Sequence, residues 1–345
     1  MNEILIKEIL EQPDVVANLI KNEAEHVNKI CSNLKGKFDY VLIAARGTSD
    51  NAARYAQYLL GSCNNIQVAL ATPSLFTIYE TPPSLERALV IGISQSGQSP
   101  DIVSVLETAQ KQGRPTMCIT NDDSSPLANV SDYIIHLNVG DEKAIAATKT
   151  YTSSLSALAL LSCFLSEDKS RLENLYKIPG KIAETLNNSL DRIDQTCRYR
   201  YMEHCVIIGR GFNYSTAYEI SLKIKELTRV ISVPYSSADF NHGPIAAVYQ
   251  GFPIFVVAPS GKMYNHIIDF TGKLINLGAE LIIITDNHEI IKRGKATFKL
   301  PDGIPEWLSP ITSIIPGQLF ARQLAIEKGY DSDEPEGLLK VTKTY

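Results

Sequence analysis

The residues best equipped for chemistry form one short run, Ser94-Gln95-Ser96-Gly97-Gln98-Ser99, followed by Pro100. It separates the apolar stretch Leu89–Ile93 from a helical pattern reaching Gln112, and Pro100 suits a helix's first turn. In a parallel α/β sheet such a turn lies at the carboxyl end of a strand, where ligands bind. The free N–H groups of a helix start carry positive partial charge, and Gly97 lets a ligand approach the backbone. Hydroxyls, amides and those N–H groups together suit a phosphomonoester without any Lys or Arg. The same run also fits an ordinary polar turn capped by serine. Thr48 and Ser49, which follow the apolar stretch Tyr40–Ala45, would add hydroxyls to the same crevice. The corresponding turn of the second half, Ala258-Pro259-Ser260-Gly261, has no serine cluster, so a single phosphate site is expected, in the first domain.

The elements that must position this turn alternate between two periods. Tyr40–Ala45, Leu89–Ile93 and Thr116–Thr120 are short apolar runs that predict strands. Helical patterns cover Glu3–Leu34 with a break at Pro13, Asn51–Leu60, and the stretch from Pro100. Strands alternating with helices predict parallel sheets flanked by helices. The second half repeats the first. Tyr40–Gly47 aligns with His204–Gly211, and Gln112–Asn121 with Leu277–Asp286, at an offset of about 165 residues. Two domains follow, residues 1–190 and 191–345, with a helical stretch Lys149–Leu190 between the copies and a tail after Pro316.

Composition bounds the function. A net charge of −5 over 345 residues speaks against a nucleic-acid partner. No basic segment with an apolar continuation opens the chain at Met1-Asn2-Glu3-Ile4-Leu5, and the apolar stretch Leu155–Leu165 is too short for a bilayer. A soluble, cytoplasmic protein without a membrane partner is expected. Cys31, Cys63, Cys118, Cys163, Cys197 and Cys205 are scattered, with no CxxC pair and no histidine at ligand spacing. They read as small hydrophobes in a reducing compartment, with no metal site. No G-x-G-x-x-G follows the first strand, which removes a dinucleotide cofactor; none is expected.

The stretches ISQSGQSPD (Ile93 to Asp101), ARGTS (Ala45 to Ser49) and EKAIAATKTYTSSL (Glu142 to Leu155) resemble the SIS, or sugar isomerase, domain. The second half, with GRGFNYSTAYEISLKIKEL (Gly209 to Leu227), DFNHGP (Asp239 to Pro244) and the stretch Ile315 to Thr342, resembles the isomerase half of glutamine–fructose-6-phosphate aminotransferases. The resemblance implies two tandem SIS domains, each flavodoxin-like and doubly wound. It implies that Thr48, Ser49, Ser94, Gln95, Ser96 and Ser99 hold a sugar phosphate. Glu226 becomes the base between C1 and C2, His242 a ring-opening group reaching a neighbouring subunit's site in a homodimer, and Lys340 an amine able to form an imine. Two departures stand out: Asp239 where the family more often has Glu, and Ala147 where a hydroxyl is common before Thr148-Lys149, in contact with the sugar.

Converting a 2-amino aldose to a ketose passes through an enolamine, which needs a base, a proton donor and optionally an amine. Glu226, His242 and Lys340 supply one of each. Locally, each has a plainer reading: Glu226 as an exposed partner of Lys223, His242 as a turn residue, Lys340 as a solvated lysine beside Lys343. The glutaminase half of the aminotransferase does not precede these motifs here, which turns the expectation toward deamination of glucosamine 6-phosphate or a relative. A roomier pocket would suit a fructosamine-6-phosphate deglycase, and a tagatose-type phosphosugar isomerase or a non-catalytic phosphosugar sensor stay open beside it.

Overall fold

A computed structural model describes residues 3–340, and among them two five-stranded parallel sheets form. In chain order the first half contains α1 (Ile4–Leu10), α2 (Gln12–Leu34), β1 (Tyr40–Ala45), α3 (Gly47–Asn64), β2 (Gln67–Leu70), α4 (Ser74–Thr77), β3 (Ala88–Ile93), α5 (Pro100–Lys111), β4 (Thr116–Thr120), α6 (Pro126–Asn129) and β5 (Tyr133–His136). Then come α7 (Lys149–Ser166), α8 (Lys169–Tyr176) and α9 (Ile178–Leu190). The second half continues with β6 (His204–Gly209), α10 (Tyr214–Thr228), β7 (Ile231–Ser236), α11 (Ser237–Asn241), β8 (Pro253–Val257), α12 (Tyr264–Asn276), β9 (Glu280–Thr285), α13 (His288–Ile291), β10 (Ala296–Lys299) and α14 (Ser309–Glu327).

The sheet orders are β2-β1-β3-β4-β5 and β7-β6-β8-β9-β10, the same doubly wound topology twice. The inner strands β1 and β3 are covered on both faces, which is why they read as unbroken apolar runs rather than alternating ones. Each sheet packs its own core. Val90, Ile102, Leu106 and Leu127 lie in the first, and Ile208, Val256, Phe270 and Ile283 in the second.

The chain divides into two compact units that interleave in sequence. The first, around β1–β5, comprises Asp14–Glu142, Lys149–Tyr176 and the segment starting at Leu339. The second, around β6–β10, comprises the residues up to Pro13, Lys143–Thr148 and Lys177–Leu338. The helical stretch between the copies is therefore three helices, α7 and α8 in the first unit and α9 in the second. Helix α7 is buried on nearly every side although it carries serines, because their hydroxyls bond backward along the helix. Ser154 Oγ donates to Thr150 O at 2.8 Å and Ser156 Oγ to Thr152 O at 2.7 Å.

One expectation needs correcting. Pro316 does not open a tail. It lies buried inside α14, whose residues from Ser309 to Ala321 all pack into the second unit. Its apolar residues outweigh the one backbone bond that proline forgoes, and the chain leaves the helix only after Glu327. Cys31, Cys118, Cys163 and Cys205 are buried, Cys63 half-buried and Cys197 exposed. Burial pushes the thiols of Cys31 and Cys163 up to about 12 and that of Cys118 to about 11, which leaves them unreactive. Among the described residues no helix is long and apolar enough to cross a membrane, and no group of three or more His, Cys, Asp or Glu side chains could hold a metal.

Candidate active site

Strand β1 is joined to β2 on one side and β3 on the other, so the winding direction reverses between β1 and β3. Crevices at such switch points are where ligands bind in open α/β sheets. The two strands run in register, Ala45 opposite Ile93, so the turns Arg46–Ser49 and Ser94–Ser99 leave the sheet side by side.

The Ser94–Ser99 turn is rigid. Ser94 Oγ accepts from Gly97 N at 3.1 Å, and Ser96 Oγ from Gln98 N at 3.4 Å. Gln95 O accepts from Asn121 N at 3.1 Å and from Thr120 Oγ1 at 3.3 Å, while Gly97 O accepts from Leu127 N at 3.1 Å. Ser99 caps α5 by position but makes no side-chain capping bond, which leaves its hydroxyl for another acceptor. Thr48 and Ser49 sit in the first turn of α3, which Arg46 precedes in extended conformation.

Sequence reasoning missed the clamp between these turns. Arg46 Nε donates to Asp101 Oδ2 at 2.7 Å, and Asp101, in the first turn of α5, is fully buried. The guanidinium is half exposed, so while the buried Asp101 carboxylate balances its charge, its remaining N–H donors stay open to a further acceptor. Only its place in the ARGTS and SPD stretches hinted at it, since the partners are 55 residues apart.

Gly97 is the residue this turn cannot replace. Its φ is +61°, and a Cβ there would lie 2.1 Å from Ser125 Oγ. Left-handed backbone costs alanine about 1–2 kcal/mol before that clash is counted. Gly97→Ala should therefore raise the KM for a phosphosugar roughly tenfold or more, with kcat less affected, at about 1.4 kcal/mol per decade. Steady-state kinetics check this; an unchanged KM in a folded variant removes the turn from the site.

Lys340 belongs to the same unit and is not a solvated tail lysine. Its Nζ donates to Glu142 Oε2 at 3.1 Å. Glu142 has no exposed side-chain surface and also accepts from Thr150 N at 3.0 Å and Thr150 Oγ1 at 2.9 Å. Nearby, Lys149 Nζ donates to Asp141 O at 2.7 Å. Glu142 was missed as a site residue although it opens a quoted motif, because its lysine partner is 198 residues away. Lys343 lies outside the described residues.

Glu226, His242 and Ala147 fall in the second unit. Glu226 is more than an exposed helix partner. Lys223 Nζ lies 2.6 Å from Glu226 Oε2 and 3.4 Å from Glu219 Oε1. Glu219 and Lys223 are buried and Glu226 is 24% exposed, so two carboxylates share one buried ammonium and only one of them opens to solvent. An isolated buried lysine would be costly; here both partners compensate it and fix the Glu226 carboxylate. His242 is exposed just after α11, its N–H donating to Asp239 O at 3.0 Å. Ser236 caps α11: its Oγ accepts from Asp239 N at 3.1 Å and donates to Asp239 Oδ2 at 3.0 Å. Ala147 is half-buried, flanked by buried Ala146 and Thr148.

With this geometry in place, comparison with known proteins identifies the chain's relatives. The profile of the SIS domain matches residues 38–162 and 200–328, one match around each sheet. The chain belongs to the SIS domain family. It is 33% identical over 345 residues to a glutamine–fructose-6-phosphate aminotransferase (isomerizing) of Pyrococcus horikoshii, covering 97% of this chain and 57% of that protein. A namesake from Aquifex aeolicus is 31% identical over 339 residues, again 97% and 57%. The chain thus spans little more than half the length of these curated relatives. Among solved structures, the C-terminal domain of glucosamine-fructose-6-phosphate aminotransferase from Francisella tularensis matches with a TM-score of 0.88 and 27% identity over 97% of this chain and 99% of that one. Glucosamine-6-phosphate deaminase from Thermotoga maritima shares the fold, with a TM-score of 0.81 at 24% identity over 99% of each chain. Both SIS domains of this chain have the same strand order, yet only the first carries the hydroxyl-rich turn.

Proposed function

We propose that this SIS protein is a phosphosugar aldose–ketose isomerase acting on aminosugar phosphates, converting glucosamine 6-phosphate or a close relative to a ketose 6-phosphate and ammonia. The observation that carries the reading is the Ser94–Ser99 turn, rigidly held at the switch point and beside the Arg46–Asp101 clamp. It offers hydroxyls, helix-start N–H groups and the remaining N–H donors of Arg46 to a phosphate. The relatives' names, which speak of fructose 6-phosphate, support a sugar of this class.

In this reading Glu226, His242 and Lys340 supply a base, a ring-opening group and an amine. His242, exposed on its own chain, assists ring opening in a neighbouring subunit of a homodimer. Glu226 takes the C2 proton of the open-chain sugar and returns it to C1, which moves the double bond to C2 and its nitrogen. The amine of Lys340 adds to that C2 imine and expels ammonia, and water then hydrolyses the lysine imine to the ketose. Net, one water enters and one ammonia leaves. With free ammonia dilute, mass action draws the reaction this way.

Incubating the purified protein with glucosamine 6-phosphate should release ammonia and fructose 6-phosphate in equal amounts. Cleavage of a fructosamine 6-phosphate, with glucosamine 6-phosphate untouched, would reassign it as a deglycase. Tight phosphosugar binding with no turnover of any aminosugar phosphate would make it a sensor.

A further inference from the structure

The two copies place a turn at the same point beyond corresponding strands, with different backbones at the paired glycines (φ +61° at Gly97, +156° at Gly261), and load it differently. Ser94 N donates to Ile119 O at 3.1 Å, and Ala258 N to Ile284 O at 2.9 Å, each one residue past its strand. This pairs Ala258 with Ser94, and Ser260, Gly261, Lys262 and Met263 with Ser96, Gly97, Gln98 and Ser99. Helix α12, 13 residues long, then matches α5. In the second copy carboxylates, not serine hydroxyls, take the N–H groups. Lys262 N donates to Glu306 Oε2 at 2.9 Å and Met263 N to Glu306 Oε1 at 3.3 Å. Ser260 N and Oγ donate to Asp286 Oδ1 at 2.8 and 3.0 Å.

Glu306 arrives from a 3-10 turn, Glu306–Leu308, that leads into α14, and its backbone carbonyl accepts from Ser309 Oγ at 2.7 Å. Its carboxyl group lies directly on Gly261, where a Cβ would come within 2.3 Å of Cδ. Gly261 is thus left bare beneath a carboxylate, whereas Gly97 is kept bare by Ser125.

We propose that Glu306 is a built-in anion that takes, in the second copy, the place the substrate phosphate takes in the first, and so limits the chain to one phosphosugar. The proposal rests on the phosphate reading of the Ser94–Ser99 turn. Two carboxylate oxygens on consecutive N–H groups at a helix start satisfy the donors that two phosphate oxygens would use. A tethered carboxylate meets those donors at high effective concentration, so free phosphate competes poorly. The adjoining depression, lined by Asp286, Asn287, His288, Glu289 and Asp302, adds negative charge. A vacated second site should therefore be weaker than the first.

Calorimetric titration of Glu306→Ala with inorganic phosphate, and separately with glucosamine 6-phosphate, tests this. The native chain should bind one equivalent and the variant two, the second more weakly, with turnover unchanged. One equivalent in both proteins overturns the role of Glu306 while leaving the serine turn standing. No binding by the native chain but one equivalent gained by Glu306→Ala does the reverse. Should that variant not fold, Glu306→Gln keeps the shape and removes the charge. A phosphate-dependent rise in its Tm larger than that of the native protein supports the proposal, and an equal rise rejects it.

Discussion

Glu226→Gln should lose about 10²- to 10⁴-fold in kcat, the range that a positioned base contributes, while its KM for the phosphosugar moves little. Glutamine keeps the size of glutamate, and its amide oxygen can lie against the Lys223 ammonium, which also retains Glu219 at 3.4 Å. The buried lysine therefore stays partnered and the helix α10 stays folded, so the loss reports chemistry rather than collapse. Exchange of the C2 proton with solvent, followed by NMR in deuterated water, separates the roles further. The native protein should exchange it even where ammonia release is slow, and the variant should not. Full activity in Glu226→Gln would sink the assignment of the base and return Glu226 to the plainer role of an ion-pair partner.

Which features were legible in the sequence follows from what burial does to local pattern. Strands β1 and β4 occupy the ranges their apolar runs predict, because a strand covered on both faces must be apolar throughout. The edge strands left no such trace. β2 and β5 are four residues long and mostly half-exposed, and β7 carries Pro234, which an edge strand tolerates and a central one does not. Helix α3 begins at Gly47, four residues before its periodic apolar stretch, because its first turn faces the crevice and not the core.

The duplicated architecture was readable because matching strands and turns recur at one offset. The differences that give each copy its chemistry were not. Arg46 with Asp101, Lys340 with Glu142 and Lys262 with Glu306 join residues 55, 198 and 44 apart, and no periodicity within one element registers such pairs. The stretch after Pro316 shows the same limit from the other side: proline suggested a break, and tertiary burial of Ile311, Ile314, Ile315 and Phe320 overrode it.

Borohydride added during incubation of the native protein with fructose 6-phosphate should leave the sugar phosphate covalently attached at Lys340. The lysine amine adds to the C2 carbonyl and water departs, giving an imine; hydride then reduces it to a stable secondary amine, which peptide mass mapping locates. Lys340→Met should show no adduct and lose most of its deaminating turnover. Glu142 is placed to act on that amine. Its carboxylate, 3.1 Å from Nζ and shielded from solvent, both holds the side chain and can accept the ammonium proton before attack. Glu142→Gln keeps an amide oxygen for Thr150 N, and its NH2 group can donate to the Thr150 hydroxyl, but that proton acceptor is gone. The adduct should then form more slowly at neutral pH and recover as pH rises and solvent hydroxide takes over the deprotonation. A trapping rate in Glu142→Gln that matches the native protein at every pH would show that Glu142 only anchors the lysine. An adduct mapped to Lys149, the other lysine beside this acidic pair, would move the amine itself to a different residue.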